Sequence, residues 1–154
     1  MQTLNFTQEG FFKVKKEYED LLVSRKGAVE QLRTAREMGD LSENAAYKVA
    51  RQKLSSIDAR LRKLFLILKT AKIKKVEFKG IVDFGTKVTL ITDGKELVYR
   101  IVGGFETDPS LGKLSEQSPL GRALVGKKVG ETVEINAPVG KISYRILKIE
   151  PAKI

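Results

Sequence analysis

The sequence predicts an α+β protein in two parts, an antiparallel coiled-coil helical hairpin followed by an antiparallel sheet domain with a short helix. Three observations predict it. Up to about residue 71, apolar residues recur at alternating gaps of three and four, the spacing of helices packed along a seam. From Gly80 onward that spacing gives way to short runs rich in Val, Ile, Thr and Tyr, separated by Gly, Asp and Pro. All four prolines lie beyond residue 100, so nothing interrupts the helical stretches.

The first helix has Thr7 as its N-cap and carries Phe11, Val14, Tyr18, Leu21, Ala28, Leu32 and Ala35 on its seam, with Arg25 as the one charged interruption. Gly39 is the natural residue to end it, because glycine accepts the left-handed conformation common after a last helical turn. The second helix repeats the alternation through Tyr47, Ala50, Leu54, Ile57, Leu61, Leu64, Leu68 and Ala71. Two helices of about 30 residues joined by a few must fold back on each other. At 1.5 Å per residue they reach about 45 Å, longer than so small a domain is wide, and this predicts a protruding arm. Ala28, Ala35, Ala45, Ala46 and Ala50 keep its far end slim. Heptad helices also commonly pair with a second copy of themselves, which is the bland reading of the same pattern.

In the second part, Thr86–Thr92 and Lys95–Val102 flank Asp93-Gly94, a strong two-residue hairpin signal. Thr132–Ala137 and Lys141–Ile149 flank Pro138-Val139-Gly140. Between these pairs, Ser118 can cap a short helix that has Pro119 at its first position and runs through Arg122-Ala123-Leu124. The expected domains are 1–76 for the hairpin and 80–154 for the sheet, with the junction near Lys72–Lys79.

Composition narrows the chemistry. The 154 residues include no Cys and no His, which excludes disulfides, thiolate metal sites and imidazole bases, and leaves carboxylates, Lys, Tyr, Ser and Thr. No apolar run approaches the roughly 20 residues of a membrane helix, and Met1–Phe6 lacks the features of a signal peptide, so the expectation is a cytoplasmic protein without a membrane partner. The net charge is +10, and residues 1–79 hold most of it, with 18 basic against 10 acidic side chains. A basic arm suits an anionic partner such as nucleic acid, and equally a solvated lysine-rich surface.

The turn between the helices places two carboxylates, Asp40 and Glu43, three residues apart at the far end of the arm. One reading is a capping box at the start of the second helix, each side chain satisfying a backbone N–H. The other is coordination. Mg²⁺ takes six oxygens and is commonly held by one or two carboxylates plus waters and phosphates. Two exposed carboxylates cannot hold it alone, yet they can complete a sphere whose other ligands belong to a partner, where a second metal serves phosphodiester hydrolysis.

Ala35-Arg36-Glu37-Met38-Gly39-Asp40-Leu41-Ser42-Glu43-Asn44-Ala45 resembles the tip signature of the GreA/GreB family of transcription elongation factors. Ser118-Pro119-Leu120-Gly121-Arg122-Ala123-Leu124-Val125-Gly126-Lys127 is similar to its C-terminal signature, and Tyr99-Arg100-Ile101-Val102-Gly103 to the strand before it. The resemblance implies that the sheet domain is FKBP-like and that the arm enters the secondary channel of bacterial RNA polymerase. There the protein, not itself an enzyme, stimulates the polymerase to cut its own backtracked RNA. Asp40 and Glu43 then act in trans, helping to hold the second Mg²⁺ and its water. No cofactor is expected for the isolated protein and no small-molecule substrate. Arg36 and Arg51 match the basic patch that engages the RNA 3′ segment, roles suited to a guanidinium that grips phosphate and stacks on bases. Their other reading is as cover for the seam edge, paired with Glu37 or other acids. Tyr47 also matches a family position, and its seam register favours packing. Gln117, Ser118 and Pro119 match the segment that docks on the polymerase rim, with Gln117 standing where relatives carry an acid or Asn. Ala46 likewise stands where many relatives carry an acid. Two rival functions follow from the same resemblance: a channel-binding inhibitory relative, against which the intact Asp40-Leu41-Ser42-Glu43 argues, and prolyl isomerisation or chaperone activity through the C-terminal domain. Isomerisation needs an aromatic-lined apolar pocket, for which Phe84, Tyr99, Phe105 and Tyr144 are the available rings.

Overall fold

Two long helices dominate the first half of the computed structural model, which describes residues 3–38 and 44–151. Helix α1 spans Gln8–Glu37 and α2 spans Ala45–Thr70, 30 and 26 residues. Their seam forms from the residues the spacing selects. Val14, Ala28, Ala35, Ala50, Ile57, Leu61 and Leu64 are buried, while Tyr18, Leu21 and Leu54 pack beside them half-buried. Near its end the seam departs from the heptad, because Ile67 is buried and Leu68 is only partly so. Ala71 lies in a strand rather than in the helix.

Arg25, the seam's charged interruption, remains exposed and bonds Asp58 across the hairpin, Nε to Oδ1 at 2.6 Å. Arg60 grips Glu17 with two hydrogen bonds of 2.7 and 3.0 Å. These pairs fix which turn of one helix faces which turn of the other.

The chain divides into two units, Phe11–Thr70 and a second formed by Met1–Gly10 together with Ala71–Ile154. Residues before the hairpin thus group with those after it. The reason is a two-stranded parallel pair, β1 (Leu4–Phe6) with β2 (Ala71–Ile73), which brings both ends of the hairpin to one place. Phe6 is fully buried, and its ring lies 5.6 Å from that of Phe105.

Thr7 caps α1 as expected, its Oγ1 accepting from Gly10 N at 3.1 Å. A capping box would place an acid at position 10, and glycine stands there instead. The acid comes from Glu106, 99 residues away, whose carboxylate accepts from Thr7 N at 2.8 Å and from the Thr7 hydroxyl. Any Cβ on Gly10 would stand 1.8 Å from that carboxylate, so glycine makes the room.

The main sheet has five strands in the order β5-β4-β3-β7-β6. Strands β3 (Lys87–Thr92) and β4 (Lys95–Val102) form the hairpin marked by Asp93-Gly94, both in the left-handed region with φ of 50° and 74°. Strands β6 (Thr132–Ala137) and β7 (Gly140–Glu150) form the second hairpin. The sheet is mixed rather than wholly antiparallel, because β5 (Lys113–Ser115) joins β4 in parallel. Three-residue strands such as β1, β2 and β5 are too short to show a period of two. Helix α3 (Pro119–Leu124) closes the core made of Val82, Val88, Leu90, Ile101, Leu124, Val133 and Ile146. Among the described residues no helix is long and apolar enough to cross a membrane.

Candidate functional site

Asp40 and Glu43, with Gly39, lie outside the described residues. The helix ends that carry the turn are described, and they remove one explanation for the acids. Asn44 Oδ1 accepts from Tyr47 N at 3.0 Å and Asn44 O accepts from Lys48 N at 3.2 Å, so Asn44 is the N-cap of α2. A box built on Asp40 and Glu43 requires a helix that starts at Leu41, and α2 starts at Ala45. Asparagine caps as well as aspartate does, and its amide also donates: Nδ2 bonds Ala35 O in the last turn of α1 at 2.7 Å. One side chain therefore starts α2 and braces it against α1. Its position just ahead of Ala45-Ala46 was a legible N-cap signal that the Asp40–Glu43 spacing overshadowed.

Arg36 is exposed, and its guanidinium lies 5.9 Å from the centroid of the half-buried Tyr47 ring, within cation–π range. Tyr47 thus packs, and also presents a face to a cation. Arg36 has no ion pair among the described residues, since Glu37 pairs with Arg33 at 3.7 Å. Arg51 is exposed one turn beyond Tyr47 and likewise makes no ion pair among the described residues. Arg36 and Tyr47 thus form a cationic, aromatic contact close to the turn, with Arg51 one helical turn farther along α2. Between the same helix ends runs an open groove of about 570 Å³, lined chiefly by Ala35, Met38, Ala45, Ala46, Val49 and Ala50.

Gln117, Ser118 and Pro119 form the corner between β5 and α3. Ser118 is occupied structurally: its Oγ accepts from Gly121 N at 3.1 Å as the cap of α3 and donates to Ser115 O at 2.7 Å. Gln117 and Pro119 are exposed. The four rings considered for a peptide-binding pocket have other surroundings. Phe84 is 2% exposed, Tyr99 and Tyr144 pack on the sheet core, and Phe105 lies against Phe6. A cavity of about 380 Å³ does include Phe84 and Phe78, and Thr7, Gln8, Lys74, Lys75 and Glu77 also line it.

Among the described residues no three His, Cys, Asp or Glu side chains gather to hold a metal. Asp40 and Glu43 are hard oxygen donors of the type Mg²⁺ takes, and two of them leave most of its six positions to other ligands. The donor set fits a shared ion.

Models of two adjoining family regions match the chain, "Transcription elongation factor, N-terminal" over residues 4–73 and "Transcription elongation factor, GreA/GreB, C-term" over residues 77–151. The chain is 43% identical over 155 residues to the transcription elongation factor GreA of Neorickettsia sennetsu, covering 97% of this chain and 98% of that one. It is 39% identical to the GreA of Paracoccus denitrificans over 153 residues, covering 97% and 98%. Among solved structures, the GreA factor homolog 1 (Gfh1) protein of Thermus thermophilus is 25% identical with a TM-score of 0.47, covering 97% of this chain and 99% of that one.

Proposed function

Since the chain belongs to the GreA/GreB family of transcription elongation factors, we propose that its hairpin enters the secondary channel of RNA polymerase and that Asp40 and Glu43 stimulate cleavage of backtracked RNA by the polymerase's own active centre. The observation that supports this best is the cap on α2. With Asn44 starting that helix, the two acids are not required to start it.

Each residue of the tip then has a task. Asp40 and Glu43 offer carboxylate oxygens to the second Mg²⁺ of the polymerase site, and one of them orients the attacking water by accepting its hydrogen. When bound, that ion supplies charge stabilisation at the phosphodiester being cut. Arg36 and Arg51 bind the phosphates of the extruded RNA 3′ segment, and Tyr47 holds Arg36 in place from behind. Asn44, by bonding Ala35 O, keeps the two helix ends at a fixed separation so that the acids arrive together. The protein contributes no complete active site, and the reaction is the polymerase's.

The test uses Asp40→Asn and Glu43→Gln, which keep shape and hydrogen-bonding oxygen while removing charge. A neutral amide is a much poorer partner for a hard cation than a carboxylate. Each substitution is expected to lower stimulated cleavage of a stalled, backtracked complex at least about tenfold, roughly 1.4 kcal/mol of transition-state stabilisation, with polymerase binding and melting temperature nearly unchanged. Raised Mg²⁺ should partly restore the rate. Near-normal cleavage by the double variant would leave the arm as a channel-binding element only.

A further inference from the structure

The loop joining β5 to α3 is exposed yet held at nearly every residue. Glu116 N donates to Val102 O at 3.0 Å, which extends the parallel β4–β5 ladder by one bond. Ser115 O accepts from both Ser118 N and Ser118 Oγ, at 3.1 and 2.7 Å, while Ser115 Oγ accepts from Gln117 N at 3.1 Å. A Cβ on Gly121 would stand 2.0 Å from Ser115 O, so the first turn of α3 lies directly against the loop. Only the side chains of Gln117 and Pro119 are exposed without a bonded partner among the described residues.

Glu116 is the tether. Its side chain is 18% exposed and reaches two other elements. Its Oε1 accepts from Asn5 Nδ2 at 3.3 Å, and its Oε2 lies 3.6 Å from Lys74 Nζ. The Lys74 ammonium sits in turn 5.3 Å from the centroid of the buried Phe84 ring. Asn5 belongs to β1, which precedes α1, and Lys74 directly follows β2, which succeeds α2. One carboxylate thereby binds the loop to the strands at both ends of the hairpin.

We infer that Glu116 is a positioning residue, holding Gln117 and Pro119 in the arrangement that meets the polymerase; this rests on the docking reading of Gln117–Pro119 that the family resemblance implies. A loop already in its bound shape loses little conformational freedom on association, whereas a released one must be ordered at that moment. A partly exposed ion pair adds little to folding stability. The effect of Glu116 therefore appears in affinity more than in melting.

The experiment titrates full-length protein against backtracked polymerase complexes and reads the half-saturating concentration and the saturating cleavage rate separately. Glu116→Ala should raise the half-saturating concentration about tenfold, equivalent to roughly 1.4 kcal/mol, with the saturating rate retained. Glu116→Gln keeps an acceptor for Asn5 but loses the charge facing Lys74, and should raise it about threefold; it decides the matter if the alanine variant does not fold. A Gln117→Ala/Pro119→Ala variant tests the docking reading itself. If that variant binds weakly while both Glu116 variants bind normally, docking stands and the positioning role is overturned. If it too binds normally, the docking reading falls and this inference with it. A lower saturating rate at unchanged half-saturation also overturns the inference.

Discussion

The hairpin and the sheet unit use their polar side chains in opposite ways. On the hairpin, ion pairs run along or across an exposed surface: Arg33 reaches Glu30 and Glu37 in its own helix, and Arg25 and Arg60 reach Asp58 and Glu17 in the other. Hydrogen bonding to Asp58 holds the Arg25 guanidinium above its ordinary value, and Glu17 does the same for Arg60. Such exposed pairs add little to stability, so the hairpin depends chiefly on its seam. In the sheet unit, Glu106 and Glu116 bond Thr7 and Asn5 across 99 and 111 residues and are committed to joining distant segments. A long helix surface can therefore carry chemistry at small structural expense, which is where Arg36 and Arg51 stand.

The largest expected difference between the two regions lies in their cores. Leu90→Ala, in the fully buried sheet core, should lower stability by about 2–5 kcal/mol. Leu61→Ala, in the narrow seam and 9% exposed, should lower it by about half as much, because the gap opens toward water and alanine favours helix. Urea unfolding followed by circular dichroism compares them, and equal losses would erase the contrast. A smaller effect is expected at the junction of the helices. Asn44→Ala should destabilise the hairpin by about 1 kcal/mol, whereas Asn44→Asp keeps the cap but turns an acceptor instead of a donor toward Ala35 O, and should also melt below the parent. If aspartate and asparagine melt alike, the brace adds nothing. The smallest stability change belongs to Arg36→Ala with Arg51→Ala, within about 0.5 kcal/mol. Their loss should instead flatten the salt dependence of action on extruded RNA by about 0.7 log–log units per lost contact. An unchanged slope would return both residues to the role of seam cover.

Much of the fold was legible because its signals are local. The seam, the Asp93-Gly94 turn and the Ser118-Pro119 start of α3 each follow from residues within a few positions of one another. The short strands were not, since three residues carry no period, and the parallel pairing of β4 with β5 depends on a partner reached through a 3₁₀ turn at Gly104–Glu106 and another at Pro109–Leu111. At the tip, the spacing of Asp40 and Glu43 fits a cap as well as a metal. The cap of α2 is Asn44, whose second bond, to Ala35 O, exists only because α2 folds back on α1.

By itself the sequence determined the two periodicities, the concentration of positive charge before residue 80 and the exclusion of thiol and imidazole chemistry, because these depend on residue type and near-neighbour spacing alone. Only the tertiary structure decided which distant partners Glu106 and Glu116 are committed to. Thr7 takes its second capping partner from Glu106 rather than from its own first turn, and Glu116 faces Asn5 and Lys74 rather than solvent. Nothing in the sequence near positions 106 and 116 marks these two carboxylates as paired. Burial and a partner of opposite charge or free N–H commit them, and both are supplied by segments that meet only when the chain closes on itself.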